Sequence, residues 1–169
     1  MTNLTKITIL LQFFLSLYFQ SFANAQFINK HWGKDTFVSP NGKKIDVSFA
    51  VGLKEKTKGL SGLDKSKMKD NEGLFFYYNT MGPMAFWMPN THFNLDIIFL
   101  DKNLRIVAVE ENVKHFKESG PPEAVPTTKE YFAQYVLELK AGQAKTYGIW
   151  PGKYIKWDNK DEYIKRFSK

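Results

Sequence analysis

The feature that most constrains the fold is a succession of short apolar runs separated by turn residues. In chain order the runs are "IDVSFAV", "EGLFFYY", "MAFWM", "HFNLDIIFL", "LRIVAV", "YFAQYVLEL" and "GKYIKW". Each is typical of a strand, and they do not alternate regularly with long helices, which disfavours a doubly wound sheet. We therefore expect an α+β, β-rich single compact domain. Its sheet should be mostly antiparallel and strongly bent or partly closed.

Turn and helix signals complete this picture. Asn41 and Gly42 form a strong turn signal, which predicts a hairpin ahead of the first run. We expect two or three short helices, one near residues 54–58 that stops at Gly59 and one in "AGQAKTYG". A third helix is possible in the tail, residues 158–169. Residues 110–130 contain three prolines and predict a long loop.

The N-terminus has the pattern of a secretory signal peptide. Lys6 is followed by an apolar stretch over residues 7–19 and then by the small-residue exit Ala23-Asn24-Ala25. A membrane-spanning helix needs about 20 apolar residues, so the stretch is too short for an anchor. We expect residues 1–25 to be removed, leaving no transmembrane segment and a protein exported to the periplasm or the extracellular space. Residues 26–36 would then be a lead-in, residues 37–157 the domain and residues 158–169 a C-terminal tail.

The composition excludes several classes of site. The chain has no cysteine, which rules out disulfides, a zinc site with thiolate ligands and a cysteine nucleophile. The net charge is +7, but only Arg105 and Arg166 among the 24 basic residues are arginine. Because specific recognition of phosphates and bases favours arginine, we expect no nucleic-acid partner.

Four ordered blocks suggest a family. They are "KGLSGL" at residues 58–63, "EGLFFYY" at 72–78, "GPMAFWMPNTHFNLDIIFLD" at 82–101 and "AQYVLELKAGQAKTYGI" at 133–149. In their order and spacing the chain resembles the family of domain of unknown function 192. The resemblance implies a compact β-rich domain and often an export signal, but it implies no reaction. Met84, Pro89, Gln134 and Lys153 depart from the family pattern.

Two carboxylates stand inside strongly apolar strands. Asp96 lies in "FNLDIIFL" and Glu138 in "YVLEL". A buried carboxylate must be hydrogen-bonded or paired, or its pKa must rise. Each can be a structural group that ties down the backbone. Alternatively, the two together resemble the acid and base of a glycoside hydrolase, which gives the hypothesis of an envelope hydrolase.

A third group of residues favours binding without catalysis. Trp87, Asn90, Thr91 and Asp96 concentrate aromatic, amide, hydroxyl and carboxylate groups in one short segment. Our leading hypothesis is a soluble, non-enzymatic binding or accessory domain, with this rim as the site and residues 110–130 as a possible lid. A small polar ligand or an envelope glycan is the expected partner. A protein-interaction module that uses exposed strand edges is the other alternative, and it predicts no concave pocket near Trp87.

Methionines raise the question of copper. Met81, Met84, Met88 and His92 are soft or borderline ligands that suit Cu(I). Yet prolines interrupt any helix here, and in an extended strand Met84 and Met88 would lie about 13 Å apart. His31, His92 and His115 show no paired spacing. We expect no metal and no cofactor, and we expect the methionines to pack.

Overall fold

The computed structural model describes residues 33–116 and 124–168. The predicted signal peptide and most of the predicted lead-in lie outside the described residues. Six strands and three short α-helices form in these ranges. They are β1 (Lys34–Val38), β2 (Lys44–Ala50), α1 (Leu53–Lys58), β3 (Glu72–Met84), β4 (Leu95–Leu100), β5 (Ile106–Val113), β6 (Tyr131–Lys140), α2 (Gln143–Thr146) and α3 (Lys160–Phe167). One 3₁₀ turn, Lys65–Lys67, lies between α1 and β3.

All six strands belong to one sheet, in the order β1-β2-β3-β6-β4-β5. β2 and β3 are parallel, because the crossover that contains α1 returns the chain to the same end, and the other neighbouring strands are antiparallel. The sheet is not closed. However, Lys156 bonds to Val38 beside β1, and the Ile155 amide donates to the Leu104 carbonyl just before β5. The predicted α+β, β-rich class with a mostly antiparallel sheet is confirmed.

Both faces of the sheet are buried, because side chains alternate along each strand. We call the first the C-terminal face. It carries an aromatic cluster of Phe37, Phe49, Phe75 and Trp157, against which α3 packs its Phe167. The second we call the cleft face. Its apolar side chains include Leu60, Phe76, Met88, Phe99 and Val136. A side chain's position along its strand therefore decides which of two separate cores it enters.

Several predicted elements differ from those observed. "MAFWM" is not a strand: β3 continues to Met84, and after it Trp87 makes one isolated bridge to Thr127. Pro89 has no N–H to donate to a neighbouring strand, and the backbone of this segment forms its hydrogen bonds with the loop before β6 instead of with the sheet. "GKYIKW" likewise forms isolated bridges rather than a strand. The predicted loop is shorter, because β5 extends to Val113, and its residues 117–123 lie outside the described part of the chain.

The tail forms the third helix. α3 begins after Asn159 and buries Phe167 against the C-terminal face. None of the helices in the described ranges is long and apolar enough to cross a membrane.

Candidate functional site

A cleft opens on the cleft face beside the crossover between β2 and β3. It has a volume of about 110 Å³. Its walls come from the end of α1 and the following loop, from β3, and from the segment after β3. Among its lining residues are Lys56, Gly59, Leu60, Phe76, Tyr78, Phe86, Trp87, Met88, Thr91 and Glu138. All four sequence blocks therefore contribute to the cleft, for example through Gly59, Phe76, Trp87 and Glu138.

Gly59 brings the crossover loop close to Glu138. It ends α1 with φ of +49°, a conformation that L side chains rarely adopt. A Cβ at this position would lie 3.4 Å from Cζ of Phe76 and 3.9 Å from Oε2 of Glu138. A side chain here would be strained and would fill space beside the carboxylate, so glycine keeps this wall of the cleft open.

Residues 85–89 form the opposite wall and are held by the loop before β6. The Phe86 amide donates to Oγ1 of Thr128 at 2.9 Å, and the Thr128 amide donates to the Phe86 carbonyl at 2.8 Å. The Met88 amide donates to the Pro126 carbonyl at 3.0 Å. This extended segment alternates its side chains: Met88 is 1% exposed in the core, whereas Trp87 is 53% exposed. The indole is exposed at the cleft, whereas the thioether packs in the core of the cleft face.

Glu138 is the most unusual group in the cleft. It is 4% exposed, and its Oε2 has no hydrogen-bond partner among the described residues. Its strand neighbours on this face are Leu74 of β3 and Ile97 of β4, which provide no donor. Burial raises the pKa of Glu138 from 4.5 to about 8. At neutral pH the folded protein therefore holds a mostly protonated carboxyl at the base of an open cleft.

Lys56 and Tyr78 provide a positive charge and a polar side chain nearer the mouth of the cleft. Nζ of Lys56 lies 4.2 Å from the centroid of the Tyr78 ring, a cation–π contact. Burial lowers the pKa of Lys56, and the neighbouring Glu55 partly offsets this. Burial, and to a lesser degree the charge of Glu138, raises the pKa of Tyr78. Tyr78 is thus the neighbour that Lys56 and Glu138 share.

Asp96 is not part of this cleft. It pairs with Leu139 across β4 and β6, whereas Glu138 pairs with Ile97, so the two carboxylates project from opposite faces of the sheet. Asp96 accepts hydrogen bonds from the Asn112 and Ala144 amides, both at 2.9 Å. These bonds fix the irregular end of β5, where Asn112 has φ of +54°, and the start of α2. The structural interpretation of Asp96 fits this geometry, and the pairing of Asp96 with Glu138 as acid and base does not form.

Of the other predicted rim residues, some also line the cleft and one does not. Trp87 and Thr91 line the cleft, but Asn90 does not. Asn90 has φ of +48° and forms a turn, with its carbonyl accepting from the Gly62 amide and its side chain within 3.1 Å of Nε2 of His92. Of the four proposed ligand-binding residues, Trp87, Asn90, Thr91 and Asp96, the structure brings two to the cleft.

The methionine-rich stretch contributes packing. Met88 belongs to the core of the cleft face, and Met84 is a half-buried neighbour of that core. In residues 33–116 and 124–168, no three His, Asp or Glu side chains converge in a way that could hold a metal ion.

Sequence reasoning missed two features. The predicted helix stop at Gly59 is confirmed, but the sequence did not indicate that the "KGLSGL" stretch supplies a wall of the cleft. Sequence reasoning also treated the histidines as scattered, yet His92 and His115 line one polar hollow with Lys65 and Lys140. No sequence signal marks that hollow, because its residues come from four separate segments. For the cleft, the buried position of Glu138 within "YVLEL" was the available signal.

Comparison with known proteins places the fold. The family model DUF192, described as "Uncharacterized ACR", matches residues 36–157. A "putative transcription regulator" from Sinorhizobium meliloti is 26% identical with a TM-score of 0.59, covering 76% of this chain and 96% of its own. A protein of unknown function from Novosphingobium aromaticivorans is 28% identical with a TM-score of 0.59, covering 74% of this chain and 84% of its own. No curated protein matches the chain.

Proposed function

This chain belongs to the DUF192 family of uncharacterised proteins, and because the family supplies no reaction, we propose a function from the cleft. The protein is a binding or accessory domain that holds a small polar molecule between the crossover loop and Trp87. One observation carries the proposal: Oε2 of Glu138 is buried, has no donor in the described structure and borders an open cleft. An unsatisfied buried polar group costs roughly 1–3 kcal/mol, and a ligand that donates to it would recover that cost.

The surroundings of Glu138 support binding over the alternatives. Trp87 presents a half-exposed indole at the mouth, which is the usual amphipathic wall of a ligand site. A hydrolase that uses Asp96 and Glu138 would need both carboxyl groups in one cleft, and they lie on opposite faces. An interaction module without a concave pocket beside Trp87 does not match a cleft that Trp87 lines.

We also propose that the domain acts outside the cytoplasm. The support is the N-terminal pattern of a basic residue, an apolar stretch and Ala23-Asn24-Ala25. N-terminal sequencing of the protein recovered from the cell envelope or the medium tests this. A mature chain that starts at Gln26 is expected, whereas a chain that keeps residues 1–25 in the cytoplasm would contradict export.

A screen tests the binding proposal. Pools of small polar molecules, including sugars, amino acids, amines and carboxylic acids, are added to the full chain while amide resonances are followed by NMR. Hits should shift resonances of Gly59 and Trp87, and the shifts should be lost in Trp87→Ala and Glu138→Gln. Trp150→Ala is the matched control, because Trp150 is 42% exposed and lies outside the cleft. Hits that bind both cleft variants as well as wild type would refute the proposed site.

A further inference from the structure

The geometry points to an amphoteric ligand of the amino-acid type, whose ammonium group meets Glu138 and whose carboxylate meets Lys56. This inference rests on the proposed binding function and names the ligand class for the same cleft. Two ionisable groups of opposite type line the cleft, Glu138 at its base and Lys56 near its mouth, and neither forms an ion pair with another described lining residue. A ligand that carries both an ammonium and a carboxylate group offers a partner to each.

The base of the cleft favours a ligand group that donates a hydrogen bond, and preferably one that is positively charged. Glu138 is 4% exposed, and its Oε2 receives no hydrogen bond from the described part of the chain. The rings of Phe76, Phe86 and Trp87 line the same space. Aromatic faces attract an ammonium group, and a buried carboxylate gains most from a charged donor. A neutral donor would repair the hydrogen bond but would leave the ionised form of Glu138 without a counter-charge.

The mouth of the cleft favours a negatively charged group on the ligand. Lys56 and Lys58 both line the cleft, and Glu138 is the only acidic residue among the lining residues that the structure describes. The ion pairs Lys34–Glu72 and Lys140–Asp70 do not involve Lys56, whose ammonium lies over the Tyr78 ring. A purely cationic ligand would have to pass these two lysines. A purely anionic ligand would leave Glu138 unsatisfied, so one molecule with both ends fits better than either.

The size of the cleft limits the ligand. Its volume is about 110 Å³, and a cavity of roughly 150 Å³ accommodates a benzene molecule of six carbon atoms. A ligand with about four to six non-hydrogen atoms therefore fills the space. L-alanine has this size, and ethylamine and propionate reproduce its two ends separately.

The test compares these three probes by NMR titration of the full chain. L-alanine is expected to bind at least about tenfold more tightly than ethylamine or propionate, since only L-alanine forms both charge-assisted contacts. Glu138→Gln should weaken L-alanine binding without changing propionate binding. Lys56→Gln should weaken L-alanine binding without changing ethylamine binding. Lys54→Gln, which alters an exposed lysine of the same helix, is the control and should change neither.

The pH dependence gives a second measurement. The other titratable groups that line the cleft are Lys56 and Lys58 near its mouth and Tyr78 of β3. Because Glu138 has a pKa of about 8 and must lose its proton to pair with an ammonium group, L-alanine affinity should rise roughly 15-fold from pH 6.5 to 8.0. The same affinity should stay flat in Glu138→Gln.

Three results would overturn the inference. Ethylamine or propionate binding as tightly as L-alanine would remove the requirement for two charges. Affinity that falls with rising pH would mean that the protonated carboxyl donates to an acceptor on the ligand. Failure of all three probes, while the wider screen yields a hit that lacks either charge, would overturn the ligand class and leave the binding function standing. Failure of the wider screen as well would refute both.

Discussion

The Glu138→Gln substitution should stabilise the protein in a strongly pH-dependent way. In the folded state the pKa of Glu138 is about 8, against 4.5 as its ordinary value. Between these values the folded protein holds a proton that the unfolded chain has released, so stability falls as pH rises and levels off above pH 8. Linkage gives a cost of about 1 kcal/mol at pH 5, about 3 kcal/mol at pH 7 and about 5 kcal/mol at pH 9. Glutamine does not titrate and avoids this cost.

Urea unfolding of both proteins at pH 5, 7 and 9 measures the effect. The difference in the free energy of unfolding between Glu138→Gln and wild type should grow by about 4 kcal/mol from pH 5 to pH 9. Any pH-independent loss of stability caused by the glutamine amide is the same at each pH, so it does not affect this growth of the difference. Glu111→Gln, at an exposed position of β5, is the control and should show no such trend. A pH-independent difference for Glu138→Gln would refute the burial argument.

Four further substitutions test the packing by urea unfolding and circular dichroism. Met88→Ala should lower the free energy of unfolding by about 2–5 kcal/mol because Met88 is buried, whereas Trp87→Ala should leave it nearly unchanged. Equal losses of stability in the two variants would contradict the alternation of side chains in residues 85–89. Asp96→Ala should cost about 3 kcal/mol, since two backbone amides lose a charged acceptor, and a neutral effect would remove its structural role. Gly73→Ala should cost about 1–3 kcal/mol, because a Cβ would lie 2.8 Å from Cδ2 of Leu139, 2.9 Å from Cδ1 of Leu137 and 3.2 Å from the Glu138 carbonyl oxygen. A gain in stability would show that the two leucines can move aside.

The sequence predicted the strands of the sheet well because their signals are local. Alternation in β2 and the Asn41-Gly42 turn need no distant partner to be recognised. The third predicted strand failed for a non-local reason. Residues 85–89 have strand-like composition, but their backbone partners are in the loop before β6, which contributes Pro126 and Thr128. Which segment a short apolar run pairs with depends on the whole fold.

The two carboxylates show what could be predicted of the site. Sequence reasoning required that each buried carboxylate be hydrogen-bonded or have a raised pKa. Asp96 is hydrogen-bonded, whereas Glu138 has a raised pKa. Alternation assigns faces within one strand, but the register between β4 and β6 decides that Asp96 and Glu138 point apart. That register is a tertiary property, so the choice between a catalytic pair and two separate roles needed the structure.

The most direct test of this account is the pKa of Glu138 itself, because the proposed site depends on a carboxyl that is buried without a donor. The ¹³Cδ resonance of Glu138, assigned by comparison with Glu138→Gln, can be followed by NMR from pH 4 to pH 10. We expect a titration midpoint near pH 8 in the ligand-free protein. A midpoint near the ordinary value of 4.5 would show that water or a protein donor already satisfies the carboxylate, and it would contradict the proposed site.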